Sequence, residues 1–100
     1  MAMSSDADTS APDDPPARGL VFPTDFPIKI MGPNRLEFEP QMIAIVRSHA
    51  PDLDVSTVEV RQSRAGNYLS VTVTIRAQSR AQLDAIYLEL TRHPWVKVVL

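Results

Sequence analysis

The chain has few side chains able to do chemistry. It contains no cysteine, so neither a disulfide framework nor a thiolate metal site can form. His49 and His93 are its only histidines, and a zinc site would have to lean on carboxylates. Each histidine is followed at once by a helix stop, Ala50-Pro51 and Pro94. That placement suits an imidazole near a helix C-terminus better than a catalytic base. No Ser/His/Asp set is readable, so the catalytic assignment is none, as are the metal and cofactor assignments. Two short stretches could bind a ligand. Met31-Gly32-Pro33-Asn34 leads from an alternating segment into a helical one, where free N–H groups could meet a carboxylate and Gly32 would let the backbone come close. Arg64-Ala65-Gly66-Asn67 reads as a turn whose amides, with Arg64, could hold an anion. The plainer readings are a strand stop with Asn34 as a helix cap, and a tight hairpin packed by Tyr68.

Those stretches need elements to position them. Phe26, Ile28 and Ile30 alternate with Pro27, Lys29 and Met31, a half-buried strand in which Pro27 must face an unpaired or bulged position. Gly32-Pro33 is expected to end it. Asn34 and Glu37 have capping-box spacing, and Phe38, Met42, Ile45, Val46 and His49 share one helical face. Pro40 then implies either a short turn over 35–38 before the main helix or a kink. Val55 to Ser63 reads as a second strand. Leu69, Val71, Val73 and Ile75 alternate through a third. Ser79 and Gln82 form another capping box before Leu83, Ile86, Tyr87 and Leu90, and Trp95 to Leu100 is the last strand.

This order gives an α+β fold: a ferredoxin-like βαββαβ sandwich, with a four-stranded antiparallel sheet in the order 4-1-3-2 and both helices on one face. The expected inward set is Phe26, Ile28, Ile30, Val58, Val60, Leu69, Val71, Val73, Ile75, Val96, Val98 and Leu100. Residues 20–100 form the domain. Residues 1–19, rich in Ser, Asp, Ala and Pro, are expected to be a disordered acidic tail, because they cannot bury enough apolar surface to offset backbone ordering.

Charge divides along the same boundary. The tail carries Asp6, Asp8, Asp13 and Asp14 against Arg18, a net of minus three, and the remaining residues are close to neutral. A neutral domain argues against a strong grip on nucleic acid or anionic lipid. No run of residues is long enough and apolar enough to span a membrane, and the N-terminus lacks the pattern of a secretory signal. A cytoplasmic location is the expectation.

Phe22-Pro23, Phe26, Lys29-Ile30-Met31-Gly32, His49-Ala50-Pro51, Ser63, Gly66-Asn67-Tyr68, Ser70 and Val98-Val99-Leu100 together resemble the YbeD-like family of small bacterial proteins of unassigned function. The likeness runs from about Leu20 to Leu100. It implies an ACT-like fold, the βαββαβ regulatory domain of amino-acid metabolism, and in such domains the loop after the first strand helps bind effectors. It brings no catalytic residues. Two enzymatic or nucleic-acid likenesses fail on their residues. An RNA-recognition motif needs aromatics along the third strand, where Ser70, Thr72 and Thr74 stand. An acylphosphatase needs a phosphate-cradling glycine run that Asn34-Arg35 lacks.

The sheet face away from the helices remains. Alternation puts Met31, Tyr68, Trp95 and Val99 there, with Lys97 among the polar residues, and an uncovered apolar group marks a contact surface. Trp95 could instead close the end of the core. The function expected is a non-enzymatic regulatory or adaptor module. It would meet a protein partner or a second copy through the open face, or sense a small molecule or anion at Gly32 and Asn34 or at Arg64, Gly66 and Asn67.

Overall fold

A computed structural model describes residues 20–100. The expected tail, 1–19, lies outside the described residues. The elements are β1 (Thr24–Pro33), α1 (Phe38–His49), a 3-10 turn (Val55–Thr57), β2 (Glu59–Gln62), β3 (Tyr68–Ala77), α2 (Arg80–Arg92) and β4 (Val98–Val99). All strand pairs are antiparallel and the sheet order is β2-β3-β1-β4, the expected 4-1-3-2.

The core follows the two alternating strands. Phe26, Ile28 and Ile30 of β1 and Leu69, Val71, Val73 and Ile75 of β3 are buried against Phe38, Met42 and Val46 of α1 and Leu83, Ile86 and Leu90 of α2. The helices run antiparallel and are tied at both ends. Gln82 Nε2 donates to the His49 carbonyl (2.9 Å) at one end, and His93 Nε2 meets Gln41 Oε1 (2.9 Å) at the other.

Pro27 finds the unpaired position its chemistry requires. Lys29 and Leu100 exchange both backbone hydrogen bonds (3.1 and 2.8 Å), so the Lys29 amide faces β4. By the two-residue alternation the Pro27 nitrogen faces the same side, past Leu100, where no described residue offers a ladder partner.

β1 ends at Gly32-Pro33 as expected, its last pair being Pro33 opposite Tyr68. Three local expectations change. The second strand is shorter than Val55 to Ser63: the Asp54 carboxylate accepts from Ser56 N–H (3.0 Å) and Ser56 Oγ (2.6 Å), which winds Val55–Thr57 into a 3-10 turn and delays β2 to Glu59. Asn34 does not cap α1; a turn precedes the helix, and Pro40 sits in its first turn, where its missing N–H has no helical acceptor to satisfy. Ser79 does cap α2, accepting from Gln82 N–H (3.1 Å), while Gln82 Oε1 reaches back to Gln78 N–H (2.7 Å).

The third change is the phase of β4. Val99 pairs with Ile30 and Val98 with Met31. Cross-strand partners share a face, so Val99 points toward the helices and Val98 and Leu100 point away, the reverse of the expected phase. Val96 packs against the core as expected. Val60 faces the helix side but remains 38% exposed, because β2 is the sheet edge.

Candidate functional site

The two ligand-binding stretches lie at one end of the sheet and are bonded to each other. In the hairpin, Gly66 adopts φ +79°, Gly66 N–H donates to the Ser63 carbonyl (2.9 Å), and Ser63 N–H donates to the Tyr68 carbonyl (2.9 Å). Asn34 reaches across. Its side-chain Nδ2 donates to the Gly66 carbonyl (2.8 Å) and its backbone N–H to the Asn67 carbonyl (3.0 Å). Asn34, Gly66 and Asn67 are thus brought together, and Asn34 serves as a strut between the loops. Arg64 lies exposed at the turn.

Gly32 is not part of an open pocket. It is buried, and a Cβ there would overlap the Phe38 ring and lie 2.8 Å from the Trp95 carbonyl oxygen. The space a ligand would need is filled by the core, so this glycine is a packing residue. Trp95 completes that seal. It packs against the core, takes the Arg35 guanidinium over its ring at 4.8 Å, and lies 5.4 Å from His93, centroid to centroid. Of the two roles weighed for Trp95, this position closes the end of the core.

The histidines have structural partners. His49 Nε2 meets Glu89 Oε1 at 2.7 Å, joining the helices. His93 Nδ1 accepts from Trp95 N–H (3.1 Å), which leaves Nε2–H to donate to Gln41. Neither ring caps its own helix. Among the described residues no three His, Asp or Glu side chains converge as metal ligands. A groove of about 480 Å³ beside the 3-10 turn is acidic, but Asp25 already pairs with Arg76 (3.2 Å) and Asp54 with Ser56. Those Ser56 bonds hold the Asp54 carboxyl below the usual carboxylate range.

The register lays out the open face in rows. One runs Glu59, Thr72, Lys29, Leu100; the next runs Arg61, Ser70, Met31, Val98. Tyr68 stands diagonally beyond Met31, opposite Pro33. Tyr68 is 48% exposed, Val98 42% and Leu100 62%, with half-buried Met31 between them. A shallow depression of about 380 Å³, lined by Lys29, Glu59, Arg61, Ser70 and Thr72, borders this apolar group. Met31 and Tyr68 are therefore where alternation places them, and Lys97 is exposed at the approach to β4. Val99 is corrected to the core side. Val98 and Leu100, assigned inward from the sequence, take the outward places; apolar residues at 98, 99 and 100 left both phases open.

Comparison with known proteins gives a consistent result. A family described as "Protein of unknown function (DUF493)" matches residues 18–100. A UPF0250 protein of Paraburkholderia phytofirmans is 56% identical over 79 residues, covering 79% of this chain and 89% of that protein. One of Nitrosomonas europaea is 52% identical over 81 residues, covering 81% and 93%. Among solved structures, the crystal structure of the ACT domain from GTP pyrophosphokinase of Chlorobium tepidum superposes with a TM-score of 0.58 at 19% identity, covering 77% of this chain and 97% of that one.

Proposed function

Because the chain belongs to the DUF493 family of bacterial proteins of unknown function, and because it carries an ACT-like fold, we propose that it is a non-enzymatic regulatory or adaptor module that meets a protein partner through the open sheet face. The family and fold agree with the YbeD-like, ACT-like resemblance read from the residues. The observation that carries the reading is the grouping of Met31, Tyr68, Val98 and Leu100 on a face otherwise polar. Exposed apolar side chains scattered singly are ordinary; four gathered on one face that no described element covers favour a contact surface with a polar rim. The two histidines support a non-catalytic role, since their hydrogen bonds hold the helices and the Trp95 segment together. In this reading the module works in the cytoplasm. No helix among the described residues is long and apolar enough to cross a membrane.

The test compares wild type with Tyr68→Ser/Val98→Lys. Both positions are exposed, so the variant should melt near wild type while losing the partners that immobilised wild type retains from a bacterial lysate. Identical retained sets from the two proteins would sink the reading. Sensing of a small effector is the second reading, favoured by the bonds that unite the Asn34 loop with the Arg64–Asn67 turn. Thermal-shift screening against amino acids and phosphorylated metabolites tests it, with Arg64→Ala as the control that should abolish the shift. Gly32→Val cannot serve, because it would disrupt the packing of Phe38.

A further inference from the structure

The outward hydroxyls of β3 stand apart from the rest of the chain. Elsewhere among the described residues every serine and threonine hydroxyl is engaged, donating as in Ser48 and Thr91 or accepting as in Ser63 and Ser79. Ser70, Thr72 and Thr74, successive outward positions of β3, have no hydrogen-bond partner among those residues. Ser70 and Thr72 are also half-buried, so their hydroxyls are already partly withdrawn from water.

Two cations flank this pair. The register sets Arg61 of β2 beside Ser70 and Lys29 of β1 beside Thr72, whereas Thr74 has Pro27 beside it. Neither cation joins an ion pair among the described residues, where the bridges are His49–Glu89, Arg76–Asp25 and Arg80–Asp84. Neighbouring strands lie about 4.8 Å apart, so Lys29 and Arg61 stand about 10 Å apart across β3, near enough for both long side chains to bend over the hydroxyls between them. Together with Glu59, which lies on the other side of Thr72 from Lys29, these residues line the depression of about 380 Å³.

We infer that Lys29, Arg61, Ser70 and Thr72 bind the phosphate of a small, hydroxyl-bearing phosphate monoester. The charges match: two cations meet a group carrying about −1.5 to −2 at neutral pH. The Arg61 fork fits two phosphate oxygens, Lys29 supplies a point charge, and the two hydroxyls donate from the floor. A carboxylate, with two oxygens and one charge, would use only part of this donor set. Glu59 repels a bare anion, but it can accept a hydrogen bond from a hydroxyl on the organic part, and so selects the monoester over inorganic phosphate. The depression is open to solvent, and screening keeps the affinity modest. The site adjoins the apolar group without depending on it, and it is distinct from the Arg64 turn.

Heteronuclear NMR on the full chain, titrated with glycerol phosphate and with inorganic phosphate at constant ionic strength, tests it. Glycerol phosphate should give saturable shifts centred on Lys29, Arg61, Ser70 and Thr72, with a Kd of about 1 mM or tighter. Inorganic phosphate should move the same amides at weaker affinity. Ser70→Ala/Thr72→Val keeps the charge and should weaken glycerol phosphate by about tenfold or more, with melting near wild type. Arg61→Met should remove saturation, Glu59→Ala should erase the preference between the two probes, and Arg64→Ala should change nothing. Shifts that grow without saturating, or that spread over Arg47, Arg80 and Arg92 alike, would mean ionic screening only and overturn the inference. So would binding that the hydroxyl-free variant keeps in full. Binding abolished by Arg64→Ala would move the anion to the hairpin turn and overturn it equally. Inorganic phosphate bound as tightly as glycerol phosphate overturns the monoester assignment.

Discussion

Replacing Gly32 by Ala adds one methyl group where the core has no room. The new Cβ would overlap the edge of the Phe38 ring and sit 2.8 Å from the Trp95 carbonyl oxygen. Phe38 is wholly buried and cannot swing into solvent, and the second contact is backbone, which gives less than a flexible side chain. Relief requires shifting α1 or the Trp95 segment. Overpacking of this kind costs about 1–3 kcal/mol, and two rigid neighbours put the expected loss near the top of that range. For a domain of this size each kcal/mol moves Tm by about 4–8 °C, so Gly32→Ala should melt roughly 12–24 °C below wild type. Calorimetry and urea unfolding, read by circular dichroism, measure it. Phe38→Leu removes the ring atoms that the methyl would strike, so in the double variant about half of the Gly32→Ala loss should disappear. The coupling should therefore be at least about 1 kcal/mol, as for contacting residues. A Gly32→Ala protein within about 0.5 kcal/mol of wild type, the usual span of surface changes, or strict additivity with Phe38→Leu, would refute the packing account.

Ser79→Ala deprives Gln82 N–H of its cap acceptor and should cost about 1 kcal/mol in urea unfolding. The Tyr87 hydroxyl is buried without a partner among the described residues, so Tyr87→Phe should be neutral or stabilise by up to about 1 kcal/mol. Burial also raises the Tyr87 pKa above its ordinary value of 10.0. The unfolded chain ionises first, so stability should fall as pH climbs past that value, and Tyr87→Phe should flatten the alkaline limb of a Tm-against-pH curve. Asp54 works in the opposite direction: its lowered pKa contributes stability that is present above 3.8 and lost as pH falls through the folded value. Asp54→Ala should flatten the acid limb of the same curve, leaving other carboxylates to shape what remains.

β1 and β3 were legible because their apolar residues occupy one phase only, so a slip of one residue would expose the whole set. Val98-Val99-Leu100 offers apolar residues in both phases, and the choice was made by pairing with β1. The Asn34–Glu37 spacing resembled a cap, but Asn34 is committed to a carbonyl 32 residues away, a partner that no local pattern announces. Val55 to Thr57 has strand-like residue types, yet Asp54 is placed to capture Ser56 and bend the chain. For the candidate site, Gly32 and the turn stood out by residue type. Whether the space above Gly32 was open depended on where Phe38 and Trp95 arrived, which only the assembled sheet and helices decide.

The unequal lengths of the ladders bear on how unfolding would be observed. β1 and β3 are paired over ten positions, whereas β4 is held by two pairs and the bonds just outside them. Short terminal segments open in native-state fluctuations that leave the rest intact, so amides of Lys97 and Leu100 should exchange with solvent far ahead of those of Ile28 and Val73. The sole tryptophan, Trp95, lies at the entrance to this weakest strand. Its fluorescence would therefore report detachment of the C-terminal segment, with a midpoint ahead of the one seen by circular dichroism, and a single-probe curve would understate the stability of the domain.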